Sequence, residues 1–369
     1  MVRLTYTTLA NSSYDKPIHS CWVKIKSFTR IFLFFVGICC GVVLSITFFS
    51  ALRNSHTTFR GDRSLYRSYT NDQSRSIAIE ALRQTHVINE TFHRGEDVIA
   101  EQMSNTVRVL CLVLTTKETF KKSAEAVKNT WGKRCNTLIF VGNFEDSSIP
   151  VEKLVSDEGK LKNWELMKAA VRHVYIHHLE THDWLLRVDD HTFVVVENLR
   201  HLLSKYNSSD ALYLGCRFKK YVKQGFMSGG AGYVLSKEAV VRMVREGISQ
   251  EICNTGNEGI EDVEIGKCME KLGVTPVDTR DSLGRGRFFP FSPETHLIPG
   301  TIKEDSWYWD MVYYPPNTGF NCCSDSAISF HGIGHQAMYV MNYLVYHLRP
   351  YGISPHALMN KTNILIVVK

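Results

Sequence analysis

Three polar residues interrupt the apolar segment LLRVDDHTFVVV (residues 185–196), in which Asp189, Asp190 and His191 stand between two runs of aliphatic side chains. Two carboxylates at the end of a buried strand are typical of a metal or phosphate site, although acids also simply terminate strands. Hard divalent cations prefer oxygen ligands and tolerate imidazole. The histidine stands where a third acid is expected, so the segment alone leaves open whether the site is active.

A second acidic pair, Glu261 and Asp262, lies in the segment IEDVEIG (residues 260–266). The sequence predicts a helix over residues 260–272, which places Asp262 in its first turn. The helix dipole favours an ionised carboxylate there, and an ionised carboxylate can accept a proton as a general base. Acids are also common at helix starts for structural reasons alone.

Two further segments carry residues suited to ligand contact. The segment MSGGAGYVLS (residues 227–236) contains Gly229 and Gly230, which permit either close backbone approach to a ligand or a tight structural turn. It lacks the Gly-Lys-Ser/Thr ending of a phosphate-binding loop. The segment WYWDMVYYPP (residues 307–316) concentrates aromatic rings, which suit the apolar faces of sugars but are more often core residues.

The elements that must position these residues alternate between strand and helix. Near-continuous apolar runs predict buried parallel strands at VRVLCLVLTT (residues 107–116), TLIFVG (residues 137–142) and the run that ends on Asp189. Between the last two, apolar residues recur at steps of three and four, which predicts an amphipathic helix. This order predicts an open α/β sheet, in which ligands bind beyond the carboxyl ends of the strands.

The composition indicates a membrane-anchored protein rather than a nucleic-acid binder. Among 369 residues the net charge is only +6, and the basic residues are spread along the chain. Residues 31–52 carry no charge and, at ~1.5 Å rise per residue, can cross a hydrocarbon core of ~30 Å. Seven of the ten cysteines follow this segment, as do glycosylation sequons at Asn89, Asn207 and Asn360. Both features favour a lumenal body.

Several later motifs, taken in order, resemble one family closely: YVKQGFMSGGAGYVLSKEA, IEDVEIGKCME, WYWDMVYYPP, CCSDSAISFH and YLVYHLRPYG. From about residue 107 to 352 the chain resembles the core 1 β1,3-galactosyltransferases, inverting enzymes of glycosyltransferase family 31. The resemblance implies a GT-A Rossmann-like α/β domain on a single-pass type II Golgi membrane anchor. It also implies Mn²⁺-dependent transfer of galactose from UDP-galactose to the 3-hydroxyl of GalNAc on Ser or Thr, forming core 1 O-glycan.

The chain is expected to have five parts: a cytosolic tail over residues 1–30, a transmembrane helix over 31–52, a flexible lumenal stem over the polar, irregular residues 53–105, a catalytic domain over 106–355 and a C-terminal tail over 356–369. UDP-galactose, GalNAc-bearing glycoproteins and the membrane are the expected partners. A homodimer is one alternative for the assembly.

The resemblance also assigns roles to single residues. Asp262 matches the base that activates the acceptor hydroxyl, and His331 in ISFH matches a late histidine that completes the metal site. His191 departs from the family, because it replaces an acid that usually binds the metal; imidazole can still coordinate but supplies no negative charge. The remaining expectations are Asp189 at both the metal and the donor, Asp190, Lys168, Gly229 and Gly230 at the donor, and Trp307, Tyr308 and Glu261 at the acceptor.

Six of the cysteines are expected to form disulfides. Cys111 and Cys135 lie on or near adjacent strands, whereas Cys253 and Cys268 flank the start of the helix that carries Asp262. The family pattern adds a vicinal Cys322–Cys323 bridge. A zinc site is the alternative, but no Cys-x-x-Cys pair occurs. Cys216 is left as a buried thiol or an intermolecular link.

Two rivals to an active core 1 enzyme follow from the departure at His191. One is a catalytically impaired homologue that acts as a chaperone-like partner of a related enzyme. The other is a β1,3-transferase with a different acceptor.

Overall fold

The computed structural model describes residues 97–146, 149, 151–154 and 163–350. The predicted tail, membrane span and C-terminal tail lie outside these residues, as do most of the predicted stem and the sequons at Asn89 and Asn360. Within the described part of the chain, no helix combines the length and the apolar character needed to cross a bilayer. The third sequon residue, Asn207, is exposed in a surface loop.

Twelve strands and nine α-helices make up the described residues. The strands are β1 (Val109–Leu114), β2 (Thr137–Gly142), β3 (Val151–Lys153), β4 (Trp184–Asp189), β5 (Phe193–Val194), β6 (Leu212–Gly215), β7 (Arg217–Phe218), β8 (Phe226–Met227), β9 (Tyr233–Ser236), β10 (Thr275–Pro276), β11 (Phe288–Phe289) and β12 (Ser329–Phe330). The helices are α1 (Val98–Thr106), α2 (Phe120–Asn129), α3 (Asn163–His177), α4 (Val196–Leu203), α5 (Lys237–Arg242), α6 (Glu261–Lys271), α7 (Pro293–Leu297), α8 (Trp307–Met311) and α9 (His335–Tyr346). Short 3₁₀ turns cover Trp131–Arg134 and Gly319–Cys322, and a π-helical turn covers Met243–Ile248.

A seven-stranded mixed sheet forms the centre, in the order β10-β6-β9-β4-β1-β2-β3. Strand β1 is buried along its whole length and pairs in parallel with β2 and β4, whereas β9 runs antiparallel to β4. Such burial on both faces explains why β1 reads as an unbroken apolar run rather than an alternating one. The predicted α/β sheet is confirmed, and its mixed character comes from β9.

Two apolar layers cover the faces of this sheet. Helices α2 and α4 contribute to one core, and α3, α5 and α6 contribute to the other. Helix α3 buries Trp164, Met167, Val171 and Val174 at steps of three and four residues, as its periodicity predicts. The layers therefore fix β4 from both sides and hold its carboxyl end at the rim of the sheet.

A second, three-stranded sheet brings a distant segment to that rim. Strand β12 lies between β11 and β5, and Phe330 pairs with Phe193 in the antiparallel register. Because β5 begins two residues after His191 and β12 ends one residue before His331, this pairing carries both histidines to one region of the fold.

The ordered body begins earlier than predicted. Residues 98–105 were assigned to a flexible stem, but helix α1 covers them and ends at Thr106. The Nδ2 atom of Asn136 donates a hydrogen bond to the Ser104 carbonyl oxygen at 2.8 Å. The helix contains no fully buried residue, so its sequence lacks the apolar signal on which a helix prediction depends.

All three predicted disulfides are present: Cys111–Cys135, Cys253–Cys268 and Cys322–Cys323. The second one links α6, which carries Cys268, to the loop before that helix. Cys216 is a free thiol, and burial raises its pKa to about 12. A protonated thiol is a poor nucleophile, so Cys216 is chemically quiet.

Close packing of α6 against β8 generates the first prediction. A Cβ atom at Gly266 would collide with Cβ of Phe226, so Gly266→Ala should overpack this contact and lower the free energy of unfolding by about 1–3 kcal/mol. Chemical denaturation measures the change. Gly334→Ala is the control, because a Cβ there meets no atom within 4 Å; equal stability of both variants would contradict the packing argument.

Candidate active site

The carboxyl end of β4 forms the floor of the site. Strand β4 ends at Asp189, and the backbone N–H of Asp190 donates to the carbonyl oxygen of Leu114 at the end of β1, 3.1 Å away. The chain then turns, with the Thr192 N–H donating to the Asp189 carbonyl oxygen at 3.1 Å, and enters β5. The predicted acids and histidine therefore lie at the carboxyl ends of two parallel strands.

Asp190 is buried and orients His191. Its Oδ2 atom accepts hydrogen bonds from the hydroxyls of Thr115 and Thr119 at 2.7 and 2.6 Å, and its Oδ1 atom lies 2.7 Å from Nδ1 of His191. Both oxygens are therefore used within the protein, and the side chain is only 5% exposed. Contact between Asp190 and the donor stays a prediction, which this arrangement does not favour because buried partners surround the carboxylate.

His331 is held with one ring nitrogen available. The Thr192 hydroxyl donates its single hydrogen to the Gly230 carbonyl oxygen at 2.9 Å, so it can only accept from Nδ1 of His331, 3.3 Å away. Burial lowers the pKa of His331, which favours the neutral ring. Nε2 of that ring then keeps its lone pair. Gly230 permits the arrangement, since a Cβ there would lie 3.1 Å from Cδ2 of the histidine.

The carboxylate oxygens and imidazole nitrogens at this rim are atoms of the types that bind divalent cations. The hydrogen bond to Asp190 occupies Nδ1 of His191 and leaves Nε2 as the coordinating atom, as carboxylate–histidine pairs do in metal sites. The same hydrogen bond raises the pKa of His191, so protons compete with a cation at that ring. As arranged, however, no three His, Cys, Asp or Glu side chains of the described residues converge closely enough to hold an ion. The manganese site therefore stays a prediction.

A buried arginine connects the two halves of the site. Arg187 lies on β4 with a side chain only 4% exposed. Its Nη1 atom lies 3.1 Å from Oδ1 of Asp189 and donates to the Gly229 carbonyl oxygen at 2.7 Å, and its Nη2 atom lies 2.9 Å from Oε2 of Glu261. No motif in the sequence assigns a role to Arg187, although a single charge inside the apolar run WLLRV is a usable signal.

The two acids at the start of α6 occupy different surroundings. Asp262 is partly buried, and its Oδ2 atom accepts the backbone N–H of Gly229 at 3.0 Å. Burial raises its pKa, while this hydrogen bond and Arg187 oppose the rise. Glu261 is buried, and its Oε1 atom accepts the Tyr233 hydroxyl at 2.5 Å. Contact between Glu261 and an acceptor stays a prediction, which this arrangement does not favour because Arg187 and Tyr233 enclose the carboxylate.

The two aromatic residues expected at the acceptor, Trp307 and Tyr308, differ in their exposure to solvent. Trp307 is 54% exposed, so its ring can meet a ligand. Tyr308 is 4% exposed and packs in an apolar cluster with Phe218, Phe226 and Val263. Contact between Tyr308 and the acceptor stays a prediction, which the burial of this side chain does not favour; the residue lies in the same apolar cluster as Val263 of α6.

Lys168 lies away from the strand end. Its Nζ atom donates to the carbonyl oxygens of Thr255 and Gly256 at 3.1 and 2.7 Å, in the loop that precedes α6. It borders a polar cavity of about 410 Å³ whose lining includes none of Asp189, His191, His331 and Asp262. The lysine thus stabilises the loop before Asp262, and the structure does not support its predicted contact with the donor.

Comparison with known proteins places these residues in a family. The family model described as Fringe-like matches residues 104–282, which include Asp189 and Asp262 but not His331. Glycoprotein-N-acetylgalactosamine 3-beta-galactosyltransferase 1 of Xenopus laevis is 42% identical over 263 residues, covering 71% of this chain and 72% of that protein. The beta-1,3-glucosyltransferase of Mus musculus is 29% identical over 213 residues, covering 55% and 42%.

The buried Glu261 generates the second prediction. Burial raises its pKa from 4.5 to about 7, so between these values the folded protein holds a proton that the unfolded chain releases. Stability must therefore fall as the pH rises through this window, by an amount on the order of 3 kcal/mol. Glu261→Gln should remove that slope, measured by denaturation at several pH values.

The control for this measurement is Glu180→Gln, because Glu180 has an exposed carboxylate. This variant should keep the pH dependence of the wild-type protein. A Glu261→Gln protein with the wild-type slope would show that another group causes the dependence.

Proposed function

The chain belongs to the Fringe-like glycosyltransferases, and we propose that it moves galactose from UDP-galactose to the 3-hydroxyl of GalNAc on Ser or Thr of glycoproteins. The product would be the core 1 O-glycan. The observation that carries this proposal is the placement of Asp262: an ionisable, partly buried carboxylate joined through Gly229 and Arg187 to the strand end that bears Asp189. The identity of 42% to a protein named for this reaction supports the same substrates.

In this proposal Asp262 is the general base. It removes the proton from the acceptor hydroxyl as the oxygen attacks the anomeric carbon from the face opposite to UDP, which inverts the configuration. The Gly229 N–H donates to Oδ2 of this carboxylate at 3.0 Å and so helps to orient it. Burial raises the pKa of Asp262, which makes its carboxylate a stronger base than that of an exposed aspartate.

A divalent cation, expected to be Mn²⁺, belongs to the same proposal. Asp189 and the Nε2 atoms of His191 and His331 are the groups that would hold it. When bound, the cation neutralises charge on the departing diphosphate as a Lewis acid. The protein's own contribution is to fix both imidazoles through Nδ1, using Asp190 for His191 and Thr192 for His331.

Acceptor contact is proposed for the exposed ring of Trp307, since a flat aromatic surface suits the C–H face of a sugar. A Golgi location with a lumenal catalytic domain is proposed as well. The uncharged residues 31–52 and the exposed sequon residue Asn207 support it, as do the three disulfides, which are typical of an oxidising compartment.

The proposed function is tested with Asp262→Asn. Removing the base should lower kcat by about 10²–10⁴-fold and leave UDP-galactose binding nearly unchanged, because no donor contact is lost. The assay follows galactose transfer from UDP-galactose to a GalNAc-peptide by the purified lumenal portion. Asp310→Asn, which changes an exposed acid, serves as the control and should keep wild-type activity.

The outcomes of this assay separate the rival functions. Transfer by the wild-type protein that survives in Asp262→Asn would remove Asp262 from the mechanism. If the wild-type protein transfers no galactose but restores the activity of a co-expressed relative, the chaperone-like alternative replaces the proposal. Transfer to other sugars alone would favour a different acceptor.

The departure at position 191 gives a prediction for metal binding. His191→Asp adds a negative charge near the cation, and a unit charge at contact contributes several kcal/mol before desolvation is subtracted. The Mn²⁺ concentration for half-maximal activity should therefore fall by about tenfold, equivalent to ~1.4 kcal/mol. A titration curve identical to that of the wild-type protein would show that residue 191 is not a ligand.

A further inference from the structure

We infer that Arg187 is the positioning residue that sets the geometry of the base Asp262 relative to the strand-end carboxylate Asp189. The inference rests on the proposed function and adds a residue that the family resemblance did not assign. Arg187 is suited to this role because its side chain is 4% exposed and its planar fork can direct several hydrogen bonds at once.

On the base side, Arg187 acts through the two peptide groups that flank the Cα atom of Gly229. Its Nη1 atom donates to the Gly229 carbonyl oxygen at 2.7 Å, and the Gly229 N–H donates to Oδ2 of Asp262 at 3.0 Å. A Cβ at position 229 would lie 3.1 Å from Nη1, 3.3 Å from Oε2 of Glu261 and 3.4 Å from Cβ of Asp262. The three side chains thus enclose Gly229 with no spare room, so a shift of the guanidinium moves the donor that holds the base.

A second contact fixes the start of the helix that carries the base. Nη2 of Arg187 lies 2.9 Å from Oε2 of Glu261, and the Tyr233 hydroxyl donates to Oε1 at 2.5 Å. Glu261 directly precedes Asp262 in the first turn of α6. Arg187 therefore holds Asp262 at two points: through the hydrogen bond from Gly229 and through the neighbouring residue of the helix.

The same nitrogen atom, Nη1 of Arg187, also contacts the acid at the end of β4. Nη1 lies 3.1 Å from Oδ1 of Asp189, so one guanidinium contacts both the strand-end acid and the carbonyl oxygen of Gly229, the residue whose N–H donates to the base. Because Arg187 and Glu261 are both buried, water cannot replace either partner, and loss of one leaves an uncompensated buried charge. The distance between Asp189 and Asp262 thus depends on Arg187.

The test uses two variants and separates kcat from KM. Arg187→Lys keeps the charge but replaces the fork by a single ammonium, which cannot reach every partner in the same geometry. Arg187→Met/Glu261→Gln removes both charges of the buried pair, which avoids leaving Glu261 unpaired. A misplaced base should lower kcat by about tenfold in the first variant and about 100-fold in the second. KM for the GalNAc-peptide should stay within about twofold of wild type, because neither variant removes an acceptor contact.

Thermal unfolding is measured alongside activity, and Arg245→Lys is the matched control because Arg245 is an exposed arginine bonded to Tyr175. A folded variant of either kind with wild-type kcat, or one in which KM alone changes, would overturn the inference and leave the proposed function standing. If the double variant does not fold, Arg187→Lys decides. Absence of transfer by the wild-type protein would overturn the proposed function and this inference with it.

Discussion

The candidate site depends on one buried positive charge. Arg187 lies on the central sheet, where desolvation of an ion costs several kcal/mol unless charged partners compensate. Asp189 and Glu261 provide this compensation at 3.1 and 2.9 Å, and the pKa of Arg187 is raised accordingly. The charged form of Glu261 is stabilised less, because the effects of burial and of the nearby Asp262 outweigh that of the arginine and raise the pKa of Glu261 to about 7. Arg187, Asp189 and Glu261 therefore restrict one another's positions. As a result, the end of β4, the loop at Gly229 and the start of α6 cannot move independently.

Helix α6, which carries Asp262, is also held by contacts other than the ion pair of Arg187. Helix α6 lies against Phe226 at Gly266, is linked to the preceding loop by Cys253–Cys268, and contributes Val263 to the apolar cluster that contains Tyr308. A carboxylate that acts as a base must stay within hydrogen-bond reach of the attacking hydroxyl. The ion pair of Glu261 restrains the first turn of α6, while the contact at Gly266 and the disulfide at Cys268 restrain its later turns, so the helix that carries the proposed base is held along its length.

The sequence predicted well what depends on local pattern. The runs at β1, β2 and β4, the helix that begins at Glu261, and the three disulfides are all present. It predicted poorly what depends on burial. Asp190, Glu261 and Tyr308 were assigned to ligands, but each is buried among protein partners, and no one-dimensional pattern distinguishes a polar residue at a rim from one beneath it. Arg187 differs, because a lone charge inside the apolar run WLLRV marks it in the sequence; only its partners, two and 74 positions away in the chain, need the fold to be identified.

The histidine at position 191 fits this charge distribution. Arg187 already balances Asp189, and the hydroxyls of Thr115 and Thr119 together with His191 satisfy Asp190. A third acid at this turn would add a charge beside two carboxylates, whereas an imidazole uses one carboxylate as its hydrogen-bond acceptor. Compared with an acid at this position, His191 provides no negative charge to attract a cation, but a buried carboxylate fixes the orientation of its ring. Proton competition at that ring is the consequence, because the hydrogen bond that orients it also raises its pKa.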